Sequence, residues 1–67
     1  MKYSLKFKGI DEIREFEDEN FTINDVLNEL GLSAQTIVAK QNGELTIEDS
    51  VINDGEEIRL VQIIYGG

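Results

Sequence analysis

Residues 58–67 read IRLVQIIYGG, an apolar run followed directly by two glycines. The first half of this run alternates between polar and apolar side chains, which is the period of a β-strand. From Val61 to Tyr65 the alternation weakens, and apolar side chains fall on both faces. A strand that is apolar on both faces either lies in the centre of a sheet or is partly covered by another molecule. The run therefore predicts a long strand over residues 57–65.

Gly66 and Gly67 form the tip of this segment. Glycine has no Cβ, so its backbone can enter a narrow slot and bend there. Residues 65–67 are therefore expected to form a flexible arm that presents the α-carboxylate of Gly67 to the active site of another protein. Two other interpretations remain open, namely an incidental frayed terminus and an expression scar.

The clearest helix is predicted over residues 22–31. Its apolar side chains recur at i, i+3, i+4 and i+7, which places them in one stripe that faces the core. The stripe consists of Ile23, Val26, Leu27 and Leu30. Thr22 is placed to cap the amino end of the helix, Asp25 to return the hydrogen bond, and Gly31 to form a left-handed carboxyl cap.

The amino-terminal part predicts a hairpin. Residues 2–8 alternate polar and apolar, and residues 12–17 can pair back after Gly9 with a less regular pattern. Six of the fourteen acidic side chains lie between Asp11 and Glu19. Opposite the lysines of the first strand these acids would make cross-strand pairs, and the preferred interpretation is a solvated hairpin face.

The remaining segments complete a small sheet. Residues 36–41 predict a strand, and Asn42-Gly43 is a strong two-residue hairpin turn. Residues 44–52 predict a short strand and an irregular excursion, and residues 53–55 form a turn before the last strand. This order predicts an α+β fold, a mixed sheet of four to five strands with one main helix packed on one face.

The composition excludes several kinds of site. The 67 residues include neither cysteine nor histidine, so disulfides, thiolate metal sites and catalytic Ser-His or Cys-His pairs are ruled out. The formal net charge of −8 disfavours direct nucleic-acid binding, and it indicates either a preference for basic protein partners or plain solubility. No apolar run approaches the ~18 residues of a membrane span, and no signal peptide is evident, so a cytoplasmic protein without membrane contact is expected.

The chain resembles the ubiquitin-like β-grasp proteins, and among them the ThiS/MoaD family of prokaryotic sulfur carriers, which includes the small archaeal modifier proteins. The segments that carry the resemblance are residues 22–27, 42–43 and 53–58 and, most strongly, 60–67. The resemblance implies a β-grasp domain over residues 1–64 and a flexible carboxyl-terminal arm over residues 65–67.

The resemblance also implies a mechanism. The Gly67 carboxylate would attack the α-phosphate of ATP inside an E1-like adenylating enzyme, and sulfur from a persulfide would then displace AMP to leave a thiocarboxylate. Gly66 and Gly67 would thread into that partner, and Tyr65, Ile63 and Val61 would contribute to docking. A sulfur-accepting synthase or thiolase would take the sulfur. The chain itself would have no catalytic residue, metal or bound cofactor, and ATP would be held by the partner.

Two other functions stay open. In the first, Gly67 is joined to lysine amines of target proteins, so the chain is a protein modifier that uses the same adenylate. In the second, the chain is a non-covalent β-grasp interaction module and the glycines are incidental. Within the carrier class, thiamine synthesis, molybdopterin synthesis and tRNA thiolation share this ending, and the sequence does not separate them.

Overall fold

The computed structural model describes residues 1–63, which fold into five strands and one helix. The elements are β1 (Lys2–Phe7), β2 (Ile10–Glu15), α1 (Ile23–Leu30), β3 (Ile37–Gln41), β4 (Glu44–Thr46) and β5 (Glu56–Gln62). The strands form one sheet in the order β2-β1-β5-β3-β4. The β1–β5 pair is parallel and the other pairs are antiparallel. This architecture confirms the predicted α+β fold and places β5 in the centre of the sheet.

The core lies between α1 and one face of the sheet, called here the inner face. Twelve buried apolar side chains form a single cluster. They are Tyr3, Leu5, Phe16, Phe21, Ile23, Val26, Leu27, Ile37, Ala39, Ile52, Ile58 and Leu60. Burying a side chain of this size stabilises the fold by about 1.5–3 kcal/mol, so the cluster is the main source of stability. The opposite, outer face of the sheet carries no helix within residues 1–63.

The helix forms as its cap residues predict. The Thr22 backbone N–H donates to the Asp25 carboxylate at 2.9 Å, and the Asp25 N–H donates to the Thr22 hydroxyl at 3.3 Å. Gly31 closes the helix with a φ of 70°, a left-handed conformation that favours glycine. These reciprocal bonds satisfy backbone groups that the helix itself leaves free at its ends.

The irregular pattern in the second strand has a simple explanation. The strand starts earlier than predicted and ends at Glu15, so Phe16 lies beyond it. Ile13 is exposed on the outer face, whereas Phe16 is buried and stacks on Phe21 with ring centroids 5.0 Å apart. The early end of the strand therefore explains why Ile13 faces solvent while Phe16 packs in the core, and no extra residue in the strand is needed.

The lysines of β1 lie opposite acids of β2, as predicted, but they form no ion pair with those acids within residues 1–63. The register does bring Lys6 opposite Asp11 and Lys2 opposite Glu15. Within residues 1–63, however, Lys6 comes within ion-pair distance of Glu57 on β5, at 3.9 Å, and of none of the three acids on β2. The six acids of the 11–19 segment are all exposed, in agreement with a solvated face.

A carboxylate joins β5 to the β3–β4 hairpin. Glu56 accepts hydrogen bonds from the Asn53 N–H at 2.6 Å, the Gln41 amide at 2.6 Å and the Asn42 amide at 2.9 Å. Burial raises the pKa of Glu56, but the hydrogen bonds together lower it by more. The pKa of Glu56 therefore lies below its ordinary value. The ionised carboxylate therefore stabilises the turn that precedes the central strand.

We expect Glu56→Gln to lower the free energy of unfolding by about 1–2 kcal/mol at neutral pH. Three N–H groups donate to the Glu56 carboxylate, and the NH₂ group of a glutamine cannot accept a hydrogen bond from any of them. Because the folded pKa is lowered, the contribution of Glu56 is fully present above the ordinary carboxyl pKa and is lost as the pH falls through the folded value. Urea denaturation at several pH values measures this difference.

The matched control is Glu57→Gln at the neighbouring position, whose carboxylate lies no closer than 3.9 Å to Lys6 and Arg59. It should cost less than about 0.5 kcal/mol. Equal losses for the two variants, or a Glu56→Gln loss that does not shrink in acid, would contradict this role of Glu56.

Candidate functional site

The carboxyl-terminal half of β5 presents different chemistry on its two faces. Ile58 and Leu60 point to the inner face and are buried. Val61 points to the outer face, is 45% exposed and lies opposite Val38 in the register with β3. The two valines form a small apolar patch next to the end of the strand.

Pairing with β3 continues one residue past the end of β5. The Ile63 N–H donates to the Thr36 carbonyl at 2.8 Å, and Ile63 is half-buried. The main chain is therefore held by β3 as far as residue 63. β5 has the predicted character but begins at Glu56, one residue earlier than expected, and ends at Gln62.

The described residues include only part of the predicted site. Val61 and Ile63 lie within residues 1–63, near the end of the central strand. Tyr65, Gly66 and Gly67 lie outside the described residues, as does the predicted boundary between a domain over residues 1–64 and an arm over residues 65–67. Docking, threading and activation at these positions stay predictions.

A row of basic side chains crosses the outer face next to the valine patch. Lys6, Arg59 and Lys40 are consecutive partners across β1, β5 and β3. Glu57 lies 3.9 Å from both Lys6 and Arg59. The carboxylate partner of Arg59 is thus two residues away on β5 itself. Together with Glu57, the row has three positive charges and one negative charge.

The local charge of this face differs from that of the whole chain. The formal net charge of −8 predicts attraction to basic partners, whereas the basic row favours an acidic one. Sequence reasoning missed the row because its members are far apart in the chain. The available signal was weak: Lys6, Lys40 and Arg59 all alternate with buried neighbours and so point away from the core.

Residues 1–63 hold no group of three side chains suited to bind a metal ion. In the same range, no helix has both the length and the apolar character needed to cross a membrane. What this surface offers is an apolar patch, a basic row and a rigidly held strand end.

Two further side chains have displaced pKa values for structural reasons. Burial raises the pKa of the Tyr3 hydroxyl, and the nearby Glu29 carboxylate adds to the effect. A hydrogen bond to Glu12 at 2.9 Å raises the pKa of the Arg14 guanidinium. Both side chains lie on the inner side of the β1–β2 hairpin, so neither contributes to the patch at Val61.

Comparison with protein families gives one clear result. The model of the ThiS family matches residues 5–67, which is nearly the whole chain. An uncharacterised protein of Archaeoglobus fulgidus is 32% identical over 69 residues, and the match covers 100% of both chains.

Solved structures with the same fold include three small proteins, each 19% identical to this chain. The thiamine biosynthesis protein ThiS of Geobacter metallireducens has a TM-score of 0.70, with 100% of both chains covered. SAMP1 of Haloferax volcanii has a TM-score of 0.67, with 98% of this chain and 97% of the other covered. A ubiquitin-like protein of Caldiarchaeum subterraneum has a TM-score of 0.57, with 98% and 100% covered. At this identity the likeness shows a shared ubiquitin-like fold.

The two faces of β5 should respond differently to truncation. Leu60→Ala removes a side chain that is 3% exposed and should lower the free energy of unfolding by about 2–4 kcal/mol. Val61→Ala, on the open face, should cost less than about 1 kcal/mol. Chemical denaturation of both variants measures the difference, and similar costs would mean that the outer face is covered in the free protein.

Proposed function

The chain belongs to the ThiS family, and from this membership we propose that it is a sulfur carrier whose reactive group is the α-carboxylate of Gly67. The observation that carries the proposal is the family match, which extends through Gly66 and Gly67 and covers the domain before them. The A. fulgidus relative supports the extent of the match, because it aligns over its full length.

The proposed chemistry has two steps on Gly67. In a partner enzyme of the E1-like class, a carboxylate oxygen of Gly67 attacks the α-phosphorus of ATP, and pyrophosphate leaves. In the second step the outer sulfur of a persulfide displaces AMP to form an acyl disulfide, and a thiol of the partner machinery then cleaves its S–S bond, which leaves the thiocarboxylate on Gly67 and a disulfide on the donor. A free carboxylate is a poor acyl donor, and adenylation supplies the leaving group that divides one difficult step into two easier ones.

The two glycines suit this chemistry. Neither Gly66 nor Gly67 has a side chain that would obstruct the reacting carbon, and a small displacement at a reacting centre can cost about 10²-fold in rate. The chain lacks the Gly-x-x-x-x-Gly-Lys phosphate loop, so we assign ATP binding to the partner. The protein is then a cosubstrate of that enzyme, and we place it in the cytoplasm.

We assign partner docking to the outer face around Val61 and Ile63, together with Tyr65 beyond the described residues. The patch adjoins the basic row, so both apolar burial and charge pairing are available to a partner. Interfaces of this kind concentrate their binding energy in a few central side chains. A sulfur-accepting synthase or thiolase would use the same face after activation.

A second candidate function shares the first step. A protein modifier would pass the activated Gly67 carboxyl to a lysine amine of a target protein and form an isopeptide bond. The fold that this chain shares with a ubiquitin-like archaeal protein favours keeping this alternative. One chain can serve both purposes, because both begin from the same acyl-adenylate.

Intact-mass measurement of the protein purified from its native host tests the carrier directly. We expect a fraction in which sulfur replaces one oxygen at Gly67, and no such fraction when Gly66 and Gly67 are deleted. Peptide mapping of host proteins tests the modifier, which would leave a Gly-Gly remnant on lysines. If the deletion leaves both sulfur transfer and conjugation intact, the chain is a non-covalent interaction module and the proposal is wrong.

Val61→Asp tests the docking face. We expect this change to weaken binding to the host adenylating enzyme by tenfold or more, because it places a charge in the centre of the apolar patch. Leu45→Asp is the control, since Leu45 is 72% exposed on the same outer face but lies on the edge strand β4. Calorimetric titration of both variants compares them, and equal effects would exclude a docking centre at Val61.

A further inference from the structure

The central strand extends past its neighbour on one side. The last pair between β1 and β5 is Lys6 with Arg59. The pairing stops there because β1 ends one residue later, at Phe7, and Lys8 and Gly9 turn the chain back with φ values of 42° and 82°. Beyond Arg59, the register partners of β5 lie on β3, and the parallel ladder with β1 reaches no further than the Leu60 N–H, which faces the Lys6 carbonyl.

The direction of the backbone groups in this segment follows from the register. The Asn42 N–H donates to the Glu57 carbonyl, and the Ile63 N–H donates to the Thr36 carbonyl, so odd-numbered residues of β5 face β3. In an antiparallel ladder the intervening residues face the other way. The Leu60 carbonyl and the Gln62 N–H therefore point to the side of β1 but lie beyond its last pair with β5.

Within residues 1–63, no other segment bonds to the Leu60 carbonyl and the Gln62 N–H in place of β1. Within residues 1–63, no hydrogen bond from the Lys8–Gly9 turn reaches the Leu60 carbonyl or the Gln62 N–H. An unpaired donor and acceptor on one edge of a strand form a template for another strand. The template is short and lies directly before residue 63, where the described chain ends.

A basic cleft adjoins this edge. Its lining includes Lys6, Lys8 and Arg59, which are three of the six basic residues of the chain, and only one acid, Asp11. Lys8 is exposed, with its ammonium group 5.5 Å from the centre of the Phe7 ring. A chain with a net charge of −8 thus concentrates positive charge at the exposed edge of its central strand.

We propose that this edge is completed by an extended segment of the activating enzyme, one that pairs with Leu60 and Gln62 through its backbone and carries acidic side chains toward the cleft. The inference rests on the proposed function for the identity of the partner. Main-chain pairing supplies affinity and fixes direction, and charge complementarity selects the segment. The added strand would align the chain leaving β5 before the glycines reach the active site.

Gln62→Pro tests the backbone bond directly. Proline removes the Gln62 N–H, which has no partner in the ladder with β3, so the isolated fold should keep its melting temperature. Binding to the purified adenylating enzyme of the host, measured without ATP, should weaken roughly three- to tenfold. Gln62→Ala removes the side chain but keeps the N–H, and it should bind as the wild type does.

Hydrogen exchange provides a second measurement on the unaltered protein. The Gln62 amide should exchange quickly in the free protein and more slowly in the complex, whereas the Ile63 amide is already bonded to Thr36. If Gln62→Pro binds as tightly as Gln62→Ala, or the Gln62 amide gains no protection in the complex, the strand-pairing proposal is overturned.

Charge reversal tests the chemistry of the added strand. Lys8→Glu and Arg59→Glu should each weaken binding several-fold, with the largest effect at low ionic strength. Lys2→Glu is the control, since Lys2 is exposed on the same strand as Lys6 but at its opposite end. Equal effects at all three positions would indicate general attraction and overturn an acidic partner segment at this cleft.

The two proposals fail in different ways. ATP–pyrophosphate exchange with the wild-type protein reports the adenylation step, whereas binding without ATP reports the strand pairing. If the protein binds with the expected sensitivity to Gln62→Pro but supports no exchange, the carrier proposal fails and the pairing stands. If exchange proceeds and Gln62→Pro has no effect on binding, the pairing alone fails. Absence of any binding overturns both.

Discussion

The central strand β5 buries one face against the helix, and this burial fixes the position of the other elements. Ile58 and Leu60 of β5 lie in the same apolar cluster as Val26 and Leu27 of α1. A domain of this size buries only about 60% of the surface that its unfolded chain exposes, so it cannot lose a central strand and remain folded. With β5 fixed, strand alternation leaves its other face open. The same strand therefore stabilises the fold and presents Val61.

The division between the two faces separates stability from recognition. Substitutions on the inner face leave cavities in a small core, whereas the outer face can vary in apolar character and charge at little cost to the fold. The basic row at Lys6, Arg59 and Lys40 shows how far the charge of the outer face can differ from the charge of the whole chain. A strongly acidic protein carries a locally basic surface beside the strand that leads toward its carboxyl terminus. In the proposed docking, partner choice depends on this local field more than on the net charge.

Small polar networks hold the short elements around this strand. The reciprocal bonds of Thr22 and Asp25 start α1, and the carboxylate of Glu56 links the β3–β4 turn to the beginning of β5. Each network is local and satisfies its own donors, so neither requires a large core. In the proposed mechanism this rigidity matters, because a reactive main-chain group is useful only if the body behind it holds a fixed orientation.

Elements whose signals are local could be predicted from the amino-acid sequence. The capping residues of α1, the Asn42-Gly43 turn and the alternation in β1 depend on neighbours within a few residues, so they specify helix, hairpin and strand without tertiary information. The resemblance of residues 60–67 then gave the family. Three features were decided by the tertiary structure: the partner of Lys6, the basic row, and the point at which β5 extends beyond β1. Each depends on strand register, which joins residues that are dozens of positions apart and which no local pattern encodes.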